Sequence, residues 1–238
     1  MKILGIETSA QMAGVALLSD GEVTVQRSFA ARMTLNRRLA LVIAQVVGRP
    51  VRDAGLDGIA TGIGPGSFTG VRMGVAVAKA LAHALELPLA GVSAPEAIAT
   101  GLEAEAGTAV CVLQRARADE VYATALVVAA DGIAEEVEPT RVLRLPEALA
   151  AAEELLGRAP EIIAGDCVDS HAGPVRAAFA GAKPAGDEHA HPAAGWVARI
   201  VQRRPERLDP EAAFGLTPRY VRASQAERQF GVDLGMRG

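Results

Sequence analysis

The segment Gly62-Ile63-Gly64-Pro65-Gly66-Ser67-Phe68-Thr69-Gly70 is the part of the chain whose backbone is best suited to chemistry. Glycines free the backbone, and amides bared at a helix start can receive a phosphate. The spacing fits neither common phosphate grip. Gly64-x-Gly66-x-x-x-Gly70 departs from the dinucleotide pattern G-x-G-x-x-G, and Val71-Arg72 stand where a P-loop needs its Lys. Two readings remain: a tight turn that brings a helix close to a sheet, and a nucleotide contact. Glu7, in Glu7-Thr8-Ser9, closes the first apolar run. A carboxylate at a strand end can hold a hydrated divalent cation when phosphates or further acids stand nearby. The first half offers no second acid at a matching strand end. Glu7 therefore reads as a hydrogen-bonding, turn-fixing residue, the vestige of a metal carboxylate.

Other reactive side chains form no set. Asp187-Glu188-His189-Ala190-His191 is rich in ligand types but lies in a stretch that reads as loop. Ser67 is outside any G-x-S-x-G elbow, and Cys111 sits mid-strand as a small apolar residue. No acid, base and nucleophile assemble, so the expectation is a chain with no catalytic residues and no metal of its own.

Composition supports a packed, soluble chain. Of 238 residues 50% are apolar, only 3% are aromatic, and Ala alone occurs 48 times. The longest uncharged stretch, Gly58 to Val71, contains Gly-Pro-Gly and does not suit a membrane span. No secretory signal is legible at the N-terminus, and two cysteines make no disulfide framework, so the expected home is the cytoplasm. The formal charge of −4 lacks the field of a stand-alone nucleic-acid binder. Arg199, Arg203, Arg204 and Arg207 form a small basic cluster that reads as a solvated helix face.

The elements that must carry these residues follow from periodicity and punctuation. Lys2–Glu7, Ala13–Leu18 and Glu22–Phe29 read as strands, with a hairpin at Ser19-Asp20-Gly21. A helix fits Thr34 to Val47, with Thr34 as cap and Gly48 as stop. Leu56–Ile63, a helix over Val71–Leu85, Leu89–Val92 and a helix over Pro95–Ala104 complete a βββαβαβα order. From about residue 106 the order restarts. Thr108–Gln114, Glu120–Ala129, Gly132–Val137 and Glu161–Ala164 read as strands; Pro146–Leu156, Gly173–Phe179 and Ala193–Arg203 read as helices. Residues 180–192 read as loop. Two such units, 1–106 and 107–238, make an α/β chain of duplicated RNase H-like, actin-type fold, each lobe a mixed sheet flanked by helices. That predicts a fold and no function.

The first two helices are apolar on too many sides for surface helices. In Val71–Leu85 only Arg72, Lys79 and His83 are polar, and offsets of seven and four place them on one stripe. Gly74, Ala78 and Ala82 form a row of small residues that admits another backbone. The run Leu39-Ala40-Leu41-Val42-Ile43-Ala44 circles its helix. Either other helices of the chain cover the second faces or a partner does, and the reading favours a partner. The expected interface is Leu35, Leu39, Val42, Ile43 and Val46 with Arg72, Met73, Gly74, Val77, Ala78, Leu81 and Ala82.

Several blocks then carry a family resemblance. Gly5-Ile6-Glu7-Thr8-Ser9, Gly14-Val15-Ala16-Leu17-Leu18 and above all Gly64-Pro65-Gly66-Ser67-Phe68-Thr69-Gly70-Val71-Arg72-Met73-Gly74 resemble the TsaB (YeaZ) family. Gly91-Val92-Ser93, Glu120-Val121-Tyr122-Ala123 and Pro218-Arg219-Tyr220-Val221-Arg222 match as well. The resemblance implies a bacterial accessory subunit of tRNA threonylcarbamoyladenosine synthesis. Such a subunit pairs through its first-lobe helices with TsaD, its catalytic paralogue, is joined by the ATPase TsaE, and self-associates through the same surface. The complex would move a threonylcarbamoyl group from its adenylate to N6 of adenosine 37 in tRNAs reading ANN codons. ATP and a divalent metal belong to the partner subunits, and this chain would need neither. Three departures stand out: Glu7 where the family often has Asp, Leu35-Asn36 where it usually has His-Ser, and Arg115 to Tyr122 where it has Asp-Ala-Arg-Arg-Gly-Glu-Val-Tyr. The rival class is a degenerate sugar-kinase-like phosphotransferase or metallopeptidase of the same superfamily.

Overall fold

The computed structural model describes residues 1–31, 34–48 and 50–221. The N-terminal half begins with the strands β1 (Lys2–Glu7), β2 (Met12–Ser19) and β3 (Glu22–Ala30). They are followed by α1 (Leu35–Val47), β4 (Gly58–Gly62), α2 (Phe68–Leu85), β5 (Leu89–Val92) and α3 (Ala94–Thr100). The sheet order is β3-β2-β1-β4-β5, with β1, β2 and β3 antiparallel and β4 and β5 parallel to β1.

The C-terminal half contains β6 (Ala109–Arg115), β7 (Glu120–Val128), β8 (Ala134–Glu136) and β9 (Arg141–Arg144). Then come α4 (Leu145–Leu156), β10 (Ile162–Ala164), α5 (Ala172–Ala178), β11 (Lys183–Pro184), α6 (Ala194–Arg203) and α7 (Ala212–Gly215). Its sheet order, β11-β10-β6-β7-β8, repeats the first, with β10 parallel to β6 and β11 parallel to β10. The duplicated RNase H-like, actin-like topology is thus present in both halves. Two strands escape the sequence pattern because they are short and polar: β9, which pairs with β7, and β11, inside the stretch read as loop.

The two sheets begin on either side of a boundary between Thr100 and Ala109, but their helices are exchanged. Helix α6, from the second half, packs on the first sheet, where Val197, Ala198, Ile200 and Val201 bury against Ile3, Ala60 and Ala90. Helix α3, from the first half, sends Ile98 and Ala99 into the core beneath Val110 and Leu126 of the second sheet. The opposite face of the first sheet is covered by α1 and α2. Thr34 sits at the α1 N-cap position without capping; its Oγ1 donates to Ala30 O (3.0 Å) instead.

The apolar residues of α1 assigned to an interface face inward. Leu35, Leu39, Val42, Ile43 and Val46 are all buried in the first lobe's own core. The small row of α2 is also spent inside the chain. Ala78 and Ala82 lie in that core, and a Cβ on Gly74 would run into Thr8 Oγ1. This corrects the reading of Gly74, Ala78 and Ala82 as the place where a partner's backbone approaches. The row serves the chain's own first strand. Gly74→Ala should therefore cost about 1–3 kcal/mol of stability through overpacking at Thr8, read as a lower urea midpoint. Ala76→Leu on the exposed side should stay within about 0.5 kcal/mol of the parent chain.

Candidate functional site

The glycine-rich segment is half turn and half helix. Helix α2 starts at Phe68, three residues earlier than the sequence suggests, because Ser67 caps it by accepting from the Gly70 N–H (3.3 Å). Gly64 has φ +89°, a left-handed conformation that favours glycine. The Gly64-Pro65 peptide bond is cis. A Cβ at Gly66 would strike Ser9 O, and one at Gly70 would strike Thr8 O. The Ser67 N–H donates to Ser9 O (2.6 Å), and Thr8 Oγ1 donates to Gly70 O (2.8 Å). The glycines thus bring the start of α2 against the end of β1. Their donors at Ser67, Gly70 and Val71 are engaged within the chain. Of the two readings of this block, the geometry supports the tight turn.

Glu7 lies at the centre of this packing. It is fully buried, its Oε1 accepts from the Ser9 N–H (2.5 Å), and its carboxylate covers the place a Cβ would take on Gly62. Oε2 has no hydrogen-bond partner among the described residues. Burial raises its pKa above the ordinary 4.5, outweighing the hydrogen bonds from Ser9 and Thr8 that favour the ionised form. Burial disfavours the charged form of this group, and the bond from the Ser9 N–H fixes the turn that follows β1. Because the folded pKa is raised, the chain binds this proton more tightly when folded. The stabilisation is present at low pH and declines as pH rises above 4.5 through the folded value.

The remaining candidates are dispersed. Cys111 and Cys167 are buried, and burial pushes both thiols up to about 12, which leaves little thiolate at neutral pH. His189 lies 3.6 Å from Glu188 in a short 3₁₀ turn. No group of three His, Cys, Asp or Glu able to hold a metal is found among the described residues. The turn after β6 is closed by Ala116 N–H to Glu120 O (3.0 Å), with Ala118 at φ +54°. Most of the Arg cluster is partly buried and engaged within the chain, while Arg203 is exposed. Arg204 pairs with Asp131 (2.8 Å) and Glu135 (2.6 Å), Arg207 pairs with Glu96 (2.6 Å), and Arg199 stacks on Trp196. This corrects the reading of a solvated face for Arg204 and Arg207, which are ion-paired within the chain. Arg222 lies outside the described residues.

Helix α2 presents three distinct flanks besides its buried one. Met73, Val77 and Leu81 turn toward the core that α1 shares. Phe68, Arg72, Lys79 and His83 form a second flank, against which the chain's own C-terminal stretch lies. Arg72 Nε donates to Tyr220 OH (2.6 Å), Lys79 Nζ donates to Phe214 O and Leu216 O (3.0 Å each), and His83 meets the Phe214 ring edge-on. The polar stripe visible in the sequence is this seat. Sequence reasoning missed Tyr220 and Phe214 as its occupants, since their partners lie more than a hundred residues away. The third flank, Thr69, Ala76, Ala80 and Ala84, is exposed. On α1, Ala40, Leu41 and Ala44 are exposed too, Leu41 at 63%. No helix of the described residues is long and apolar enough to cross a membrane.

Glu7→Gln should leave the fold intact and flatten the fall in stability that the raised carboxyl imposes as pH rises above 4.5. Thermal unfolding across that range measures it. An unchanged pH profile would mean that Glu7 does not carry the buried proton.

Comparisons with known proteins agree with these features. Residues 34–183 match the family model described as TsaD: tRNA N6-adenosine threonylcarbamoyltransferase. The tRNA threonylcarbamoyladenosine biosynthesis protein TsaB of Escherichia coli (strain K12) is 38% identical over 125 residues, 51% of this chain and 53% of that protein. TsaB of Bacillus subtilis (strain 168) is 28% identical over 97% of this chain and 98% of its own length. The chain thus spans about half the length of the Escherichia coli relative and nearly all of the Bacillus subtilis one. The solved structure of YeaZ from Pseudomonas aeruginosa superposes with a TM-score of 0.67 at 26% identity, covering 92% of this chain and 99% of that one. The chain belongs to the TsaD threonylcarbamoyltransferase family described by this model, as a member of its TsaB/YeaZ group.

Proposed function

We propose that the chain serves tRNA threonylcarbamoyladenosine synthesis as a non-catalytic activating subunit that docks on the catalytic paralogue TsaD. The observation that carries this reading is the uncovered outer layer of α1 and α2. Their inner faces already fill the first lobe's core, yet Ala40, Leu41, Ala44, Ala76, Ala80 and Ala84 remain exposed on the outside. Small apolar side chains on adjacent helices let a partner's helices approach closely and close a bundle. A partner of the same family brings an equivalent pair of helices, which makes the two surfaces alike in shape and chemistry. The interface moves accordingly from the buried residues of the sequence reading to this outer layer, with Met73 and Val77 at its half-buried edge.

In this role the chain lends surface rather than chemistry. Its buried Glu7 and internally engaged glycine turn support α2 rigidly, so the outer flank is presented in one orientation to TsaD. TsaE and tRNA join through the complex, with ATP and a divalent metal handled by the partner subunits. Alone, the chain can use the same surface to form a homodimer.

Ala80→Arg and Leu41→Glu place charge on the outer layer while leaving the core untouched. Each should keep the thermal midpoint and weaken association with TsaD at least about tenfold, since an unpaired charge is stranded in a closed interface. Titration calorimetry and a tRNA modification assay with and without this chain provide the measurements. Normal pairing by both variants would move the interface elsewhere. ATP hydrolysis by the isolated chain would replace the scaffold reading with the phosphotransferase one.

A further inference from the structure

The last described stretch, Asp209–Val221, does not rest on the second lobe that precedes it. Asp209 exchanges two main-chain hydrogen bonds with Leu89 of β5 (3.1 Å each). The chain then runs back along α2, opposite in direction to the helix, past His83, Lys79, Arg72 and finally Phe68. Near its end the Arg219 N–H donates to Ile63 O (2.8 Å), just ahead of the glycine turn. Arg72 lies 3.8 Å over the Phe68 ring and also faces the Tyr220 ring.

One side chain of this strap reaches the other lobe. The Arg219 guanidinium pairs with Glu136 of β8, and both side chains are about four-fifths buried. Ser93, the cap of α3, donates through Oγ to the same carboxylate (2.8 Å). Glu136 thus ties together the second sheet, the α3 cap in the first half and the end of the strap. The two halves of the strap differ in their anchoring. Ala212 and Ala213 are buried in the first lobe's core, whereas Thr217 is exposed and Pro218–Val221 are only partly buried. Segments with few buried apolar contacts open at lower free energy than the domain as a whole.

We propose that Thr217–Val221 is a latch. The Arg219–Glu136 ion pair fastens it across the two lobes, and its release exposes the Ile63–Gly64 backbone and the Phe68–Arg72 end of α2 while both sheets stay folded. Asp209–Leu216 remains anchored and acts as the fixed side of the hinge. The device stands independently of the docking surface on the outer flank of α2, because the strap occupies a different flank.

Native-state hydrogen exchange on the whole chain tests it. In Glu136→Gln, amides of Thr217–Val221 should exchange about tenfold faster or more, with β4 and α6 amides unchanged. Raising the salt from about 0.05 to 1 M should speed the same amides in the parent chain, since screening weakens the pair, and should have little effect in Glu136→Gln. Arg219→Lys, which keeps the charge, should recover part of the protection. Unchanged exchange over Thr217–Val221 in both the variant and high salt overturns the latch. So does protection lost equally from Thr217–Val221 and β4, because the segment would then open only with the lobe.

Discussion

The fold of the first lobe depends on one close approach, the backbone of α2 lying directly on Thr8 and Ser9 at the end of β1. Gly66, Gly70 and Gly74 recur every four residues, so they make a single side-chain-free line along the helix start. That line leaves α2 no freedom to rotate. Once it faces β1, Ala78 and Ala82 must enter the core, Met73 and Val77 must turn to α1, Arg72 and Lys79 must meet the strap, and Ala76 and Ala80 must face outward. A slip by one residue would rotate every side chain by about 100° and bury the cations instead. The helix is therefore read from its glycines, and its apolar composition everywhere else is tolerable because each flank has a separate neighbour.

The second dependence is the exchange of helices between halves. Each sheet needs cover on both faces, and α3 and α6 cross over to supply it. The crossing carries charge along its rim. Arg204 with Asp131 and Glu135, Arg207 with Glu96, and Arg219 with Glu136 all join sequence-distant segments. Exposed pairs of this kind contribute little to stability. The partly buried ones do more to fix orientation: removing one partner strands a charge that water cannot reach fully. Glu96 illustrates the tension, since burial pushes its pKa up while Arg207 pulls it down.

The sheet elements were legible because their signals are local. β1 and β5 were placed residue for residue by short apolar runs, and the Asp20-Gly21 hairpin by its turn residues. The glycine block was legible as a turn for the same reason, although the helix start within it was not: Ser67 looked like part of the turn until its capping bond was visible. The faces of α1 and α2 were not legible. Periodicity identifies an inward face by contrast with polar residues, and these helices offer almost none. A row such as Gly74, Ala78 and Ala82 permits close approach without saying whether the visitor is another chain or Thr8. The Arg cluster and the polar stripe of α2 are legible as groups of residues, but their partners are set by tertiary structure alone.

Glu7 ties these threads together, and its length relative to Asp matters. An extra methylene lets the carboxyl fold back onto the Ser9 N–H and fill the space above Gly62. The position that a shorter acid could leave open is then occupied by the protein itself. Burial disfavours the charged form of this group, which lies where the end of β1 meets the start of α2. The filled space beside Gly62 backs the contact of Thr8 with Gly70 and Gly74 that fixes the rotation of α2, and with it the orientation of the outer helical surface.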